Sequence, residues 1–170
     1  MTATASKPVL PKDAAAGKRF AIVVSRYHEE LTQELAKGAE GALKALGAKD
    51  EDLSFFWVPG AFEIPSAARA VSQLRDVSAI ICLGVILKGE TSHNEVLAHE
   101  VARGISQIHA ATGIPATFGV LTPDTLEQAK ARCGGARGNK GTEAAEAAVA
   151  MVLLLEDIKQ KPKKNKSVGF

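Results

Sequence analysis

Four short apolar runs, rich in β-branched and aromatic residues, punctuate the chain at Arg19–Ser25, Leu53–Val58, Ala79–Leu87 and Ala116–Leu121. Runs of this length predict buried strands. Between and after them the apolar spacing turns helical, at Leu31–Leu46, Ile64–Leu74, Glu95–Ala111, Leu126–Arg132 and Thr142–Ile158. In the third of these segments Leu97, Val101, Ile105 and Ile108 fall at i, i+4, i+8 and i+11, one stripe that packs on a sheet. Strands alternating with helices require right-handed crossovers and give a parallel sheet covered on both faces. The expected fold is α/β, a flavodoxin-like three-layer α/β/α sandwich with a four-stranded parallel sheet in the order 2-1-3-4. In that order the first and third strands are neighbours whose connections leave on opposite faces, and ligands bind at their carboxyl ends. The segments to search are Arg26–His28, Pro59–Glu63, Lys88–His93 and the residues from Thr122 onward.

At 170 residues, 46% of them hydrophobic, the chain is long enough for one sizeable core but has the length of a single domain. The expected division is a flexible N-terminal arm at 1–17, one folded domain at 18–158 and a basic disordered tail at 159–170. The formal charge of +2 belongs to that tail: without Lys159, Lys161, Lys163, Lys164 and Lys166 it becomes −3. The lysines read as a solvated end rather than a nucleic-acid surface. Met1–Gly17 has no unbroken apolar segment of the kind a secretory leader needs, and no stretch approaches the roughly 18 apolar residues of a membrane helix. The two cysteines are far apart, and Cys82 lies inside an apolar run. That is the usage of a reducing compartment, so a cytoplasmic location with neither membrane nor nucleic-acid partners is expected.

His93 follows the third strand and a glycine, Gly89, at the start of a helix. Ser92 and Glu95 have the spacing of a capping box. A histidine in the first turn sits at the positive end of the helix dipole, and a neutral imidazole there can accept a proton. First-turn histidines are as often plain surface residues, and position alone does not separate the two. His99 and His109 lie off the apolar stripe, where solvent or a subunit contact accounts for them. His99-Glu100 is followed by Arg103 where a zinc helix needs a second histidine, and no cysteine pair has ligand spacing. No metal and no other cofactor is expected.

The second loop, Val58-Pro59-Gly60-Ala61-Phe62-Glu63-Ile64-Pro65, brings a glycine and a carboxylate to a helix start, which turn and capping duties explain equally well. The segment from Arg132 to Gly141 is glycine-rich, carries Arg132, Arg137 and Lys140, and precedes the last helix; cations at helix ends bind phosphate. It lacks the nucleotide-triphosphatase pattern, since Asn139 follows Gly138, and no strand leads into a dinucleotide Gly-x-Gly-x-x-Gly. The residues themselves thus reach a small phosphorylated ligand, a proton shuttle at His93 and a pocket suited to an aromatic ring.

Four motifs in order, Val58-Pro59-Gly60-Ala61-Phe62-Glu63-Ile64-Pro65, Gly89-Glu90-Thr91-Ser92-His93, Phe118-Gly119-Val120-Leu121-Thr122 and Gly138-Asn139-Lys140-Gly141, resemble those of the 6,7-dimethyl-8-ribityllumazine synthases. The resemblance runs from about Arg19 to Ile158. It implies the penultimate step of riboflavin biosynthesis, in which 5-amino-6-(D-ribitylamino)uracil and 3,4-dihydroxy-2-butanone 4-phosphate condense with release of phosphate and water. It further implies that His93 transfers protons and that Arg132, Glu90 and Thr91 hold the butanone phosphate. By the same resemblance Tyr27 stacks on the pyrimidine, while Ala61, Phe62 and Glu63 with Val85, Ile86 and Leu87 line the uracil and ribityl site. Phe118 closes the site from a neighbouring subunit, and Lys140 approaches the ligand.

The chain departs from the family at Tyr27-His28, usually Phe-Asn, at Lys88, usually Arg, and at Ala136, a lysine in some members. A tyrosine still offers a stacking face. The family forms pentamers, and many members assemble twelve of them into a shell of 60 subunits, with riboflavin synthase as a further partner. The short Gly134–Gly138 connection matches shell-forming members, and the arm before Gly17 is expected to reach a neighbour's sheet edge at most, given Pro8 and Pro11. Two other roles use the same residues: a lumazine or flavin carrier without turnover, and a shell protein.

Overall fold

The computed structural model describes residues 9–74 and 76–160. Four parallel strands form the central sheet: β1 (Phe20–Ser25), β2 (Leu53–Val58), β3 (Ala79–Val85) and β4 (Ala116–Leu121), in the order β2-β1-β3-β4. This is the expected flavodoxin-like order. The ladder places Phe20 between Leu53 and Ala79, and Val85 beside Leu121, so all four strands finish at one edge. Helices α1 (Glu29–Ala45) and α5 (Lys140–Gln160) cover one face; α2 (Ile64–Val71) and α3 (His93–Thr112) cover the other.

Side chains of a strand alternate between faces, and here both faces are apolar. Phe20, Ile22 and Val24 of β1 join Ile81, Leu83 and Val85 of β3 in the core under α1 and α5; Ala21 and Val23 join Ile80 and Cys82 in the core under α2 and α3. The sequence therefore shows unbroken apolar runs rather than alternation. Cys82 is fully buried, and burial pushes its thiol up to about 12. In α3, Val101, Ile105 and Ile108 are buried as the stripe required, whereas Leu97 is only partly covered.

Element ends differ from the apolar pattern where polar residues carry the helix on. Helix α3 starts at His93 rather than Glu95, and α5 runs from Lys140 to Gln160 rather than from Thr142 to Ile158. Strand β3 stops at Val85, not Leu87, because its ladder with β4 ends at Leu121. Packing begins before residue 18: Ala14 and Ala15 are buried, and the Ala15 N–H donates to the Leu46 carbonyl at 2.8 Å. Most of the expected basic tail, 161–170, and the first eight residues of the arm lie outside the described residues.

A further feature absent from the strand pattern is a small hairpin, β5 (Cys133–Gly135) with β6 (Gly138–Asn139), inserted between α4 (Leu126–Arg132) and α5. It leads straight into a close contact between α5 and α1. A Cβ added at Gly141 in α5 would collide with the Leu35 carbonyl oxygen of α1, whereas one added at Gly41 in α1 would meet nothing. Gly141→Ala is expected to lower stability by about 1–3 kcal/mol through overpacking. The same change at Gly41 should raise it by about 1 kcal/mol through helix propensity. Thermal melts of both variants at one protein concentration check the opposite signs.

Candidate active site

The site begins where β1 leaves the sheet. The Arg26 N–H still donates to the Val58 carbonyl at 2.8 Å, the Tyr27 N–H turns to the Ser25 hydroxyl at 3.2 Å, and His28 adopts φ 58° and ψ 50°. The His28 carbonyl then accepts the N–H groups of Leu31 and Thr32, the first bonds of α1. Arg26 lies 5.4 Å over the Trp57 ring and pairs with Glu29 at 3.1 Å, which fixes the turn from outside. Tyr27 projects from it, 67% exposed.

A cavity of about 590 Å³ opens beside this turn, at the carboxyl ends of β1, β2 and β3. Tyr27, Ala61, Phe62, Glu63, Val85, Ile86, Leu87 and His93, all singled out by sequence, line it together. Its size suits a small organic ligand, and its wall is mostly apolar with a few polar groups, as such sites usually are. Ala61–Glu63 form a single 3-10 turn ahead of α2, and a Cβ on Gly60 would come within 2.9 Å of Glu63 Oε2; the glycine leaves room for that carboxylate. His93 is the first residue of α3, and its N–H donates to Thr91 Oγ1 at 3.4 Å. Ser92 occupies the N-cap position but makes no side-chain cap bond, so the expected Ser92–Glu95 capping box does not form. With ψ near zero, Ser92 is already close to helical, and Thr91 takes the capping role one residue earlier.

The cations lie elsewhere. Arg132, Arg137 and Lys140, with the single carboxylate Glu143, line a second cavity of about 460 Å³ beyond β4, together with Thr122, Pro123 and Gln128. The two cavities have no residue in common. Arg132 donates once, to the Gln128 carbonyl at 3.3 Å, and Lys140 pairs with Glu143 at 2.9 Å. Cys133 beside them is no nucleophile: burial, with the Glu34 carboxylate second, pushes its thiol up to about 11. Glu90 and Thr91 are exposed and line neither cavity. Phe118 is on the far edge strand, 40% exposed, in a third cavity with His109, Thr117 and Met151. Within one chain, then, His93 and the pocket residues come together, while Arg132, Lys140 and Phe118 do not join them.

The family model for 6,7-dimethyl-8-ribityllumazine synthase matches residues 17–156. The chain belongs to that family. A curated 6,7-dimethyl-8-ribityllumazine synthase from Leuconostoc mesenteroides subsp. mesenteroides is 41% identical over 142 residues, which cover 84% of this chain and 91% of that protein. The lumazine synthase family makes the chain a transferase of riboflavin biosynthesis, acting on small-molecule substrates as an oligomer. No helix among the described residues is long and apolar enough to cross a membrane, and no group of histidines, cysteines and carboxylates among them could hold a metal ion.

The pocket wall also holds Asn94 and Leu97, which sequence reasoning missed, and His28, which lay in a segment named for the site but was given no role there. Asn94 and Leu97 were within reach, since they lie one and four residues after His93 on one helix face. It also passed over Asn139 as a site-building residue. Asn139 Nδ2 donates to the Glu34 carbonyl at 2.8 Å, and Oδ1 accepts the N–H groups of Gly141 and Thr142 at 2.8 and 3.3 Å. The second pair is a helix N-cap, and an Asn just before a helical segment is its signal. The side chain thereby fixes Lys140 and the hairpin against α1. Asn139→Ala should lower stability by about 1–2 kcal/mol, and Asn139→Asp, which keeps the cap but loses the donor to Glu34, should recover part of it; chemical denaturation of the two variants reads the difference.

Proposed function

We propose that this chain condenses 5-amino-6-(D-ribitylamino)uracil with 3,4-dihydroxy-2-butanone 4-phosphate at a site completed by two subunits of a pentamer. The observation that carries this reading is the separation of the two cavities: the proton-transfer histidine and the phosphate-binding cations occur on one chain without lining a common space. A neighbour's Arg132, Lys140 and Phe118 would complete the His93 pocket. The third cavity supports a subunit contact there, because Phe118 stands beside it 40% exposed on the edge strand, a large aromatic side chain that its own chain leaves uncovered.

In this site the pyrimidine stacks on Tyr27, and the uracil and ribityl groups meet Ala61, Phe62, Glu63 and the strand-end residues Val85, Ile86 and Leu87. The phosphate lies between Arg132 and the N–H groups that open α3 near Glu90 and Thr91, where the helix dipole favours an anion. The substrate amine attacks the ketone, water leaves, phosphate is eliminated, and a second condensation closes the ring. Each step moves a proton, and His93 is the group placed to carry it. Holding the two substrates together supplies roughly 7–11 kcal/mol at the favourable limit, more than a single acid–base group supplies.

The reaction takes place in the cytoplasm on this reading, supported by two buried, unpaired thiols. Assembly of pentamers into a 60-subunit shell is supported by the tight hairpin, in which Ala136 and Arg137 alone join the paired Gly135 and Gly138.

Mixing the protein with both substrates and following the lumazine chromophore tests the reaction; formation at the spontaneous rate would remove the catalytic reading. His93→Ala should lower kcat by no more than about 10²-fold, the low end of general acid–base contributions, and an inert variant would reverse the ranking of positioning over proton transfer. Arg132→Ala should raise KM for the butanone phosphate about 10- to 100-fold, the scale of a lost charge-assisted hydrogen bond. Co-assembled His93→Ala and Arg132→Ala chains should exceed the activity of either variant alone, because some interfaces then carry both intact groups. Light scattering separates pentamer from shell.

A further inference from the structure

We infer that His28 is a positioning residue for the pyrimidine substrate: its imidazole holds the Tyr27 ring in the attitude that stacking needs. The inference rests on the placement of the pyrimidine against Tyr27 proposed above. It starts from a backbone outlier. At φ 58° His28 lies in the left-handed region, where glycine fits freely and asparagine at small cost. The turn into α1 requires that conformation of whatever residue stands here, because the His28 carbonyl must accept both the Leu31 and Thr32 N–H groups, at 2.9 and 3.1 Å. A helix N-cap in addition rewards a short side chain that bonds back to the first turn. The His28 side chain makes no such bond. Local folding thus gives no reason for an imidazole at this point.

The imidazole packs instead on its neighbour. The ring centroids of Tyr27 and His28 are 4.9 Å apart with their planes at 80°, an edge-to-face pair within the preferred range for aromatic side chains. Both rings line the His93 cavity. Tyr27 is otherwise poorly restrained: its side chain is 67% exposed, and the hydrogen bond that fixes the residue, from its N–H to the Ser25 hydroxyl, acts on the backbone alone. A ring that rotates freely must be ordered when the pyrimidine binds, and that ordering subtracts from affinity. His28, held by a backbone pinned at both ends, gives the Tyr27 ring a fixed wall on one side. It acts through Tyr27 rather than on the reacting atoms.

Loss of a role of this kind weakens ground-state and transition-state binding alike, so it raises KM for the pyrimidine and leaves kcat in place. His28→Asn keeps a residue suited to the left-handed turn and removes the ring. It should raise KM for the ribitylaminouracil about 3- to 10-fold, the range of an edge-to-face pair, with KM for the butanone phosphate unchanged. His28→Phe, which restores the ring face, should return KM toward the parent value. Should the phenylalanine strain the turn, the pair His28→Asn and Tyr27→Ala decides without it: in the Tyr27→Ala background the His28→Asn change should have no further effect, as expected for two residues acting as one unit. An unchanged KM in His28→Asn beside a weakened Tyr27→Ala overturns the role of His28 and leaves the pyrimidine placement standing. Additive effects of the two changes overturn it as well, since His28 then contacts the ligand independently. A parental KM in Tyr27→Ala overturns the placement and the inference together.

Discussion

The pairing of β1 with β3 is the constraint on which the rest of the structure depends. These two strands are adjacent in the sheet but separated by β2 in the chain, so the segment leaving β1 must turn one way and the segment leaving β3 the other. The crevice between the departing chains receives Tyr27 and His28 from one side and Val85, Ile86, Leu87 and His93 from the other. Nothing in the pocket would converge without that adjacency. It holds because both faces of both strands are apolar, so a slip by one residue would exchange the two cores and misplace every side chain beneath two different helices.

Charge follows a different logic from packing. Three cations face one carboxylate in the second cavity, an imbalance that a closed pocket within a single chain would tolerate poorly. On the far side of β4 the cavity is open, Lys140 is paired with Glu143, and Arg132 donates to the Gln128 carbonyl. The His93 pocket, lined largely by apolar groups, carries no lysine or arginine on its wall. His93 and the three cations are thereby separated in space within the subunit.

The sheet order, the helix count and the pocket wall were legible in the sequence because each depends on apolar periodicity or on a segment following a strand. The two strands with the sharpest boundaries, Leu53–Val58 and Ala116–Leu121, were placed residue for residue. The apolar stripes of α3 and α5 begin two residues late, at Glu95 and Thr142, since polar first turns leave no mark in them, although the capping spacing at Ser92 had already put His93 in the first turn. The hairpin at Cys133–Asn139 was invisible for the same reason: glycines and cations form two short strands there only because α4 and α1 support them. The capping box was a correct spacing with the wrong outcome, decided by the backbone angles of Ser92. Asn139, visible in the sequence only as part of a motif, matters for what it holds rather than for what it is.

Burial of the two thiols has a consequence outside catalysis. Cys82 is sealed inside the sheet and Cys133 is buried at the start of the hairpin, and neither is a thiolate at neutral pH, with thiols pushed up to about 12 and about 11. An alkylating or oxidising reagent meets each sulfur only when its surroundings open. Cys82 therefore reports loss of the whole sheet, whereas Cys133 reports release of a short hairpin. The chain carries its own pair of chemical clocks, one set by global unfolding and the other by local opening beside the cations.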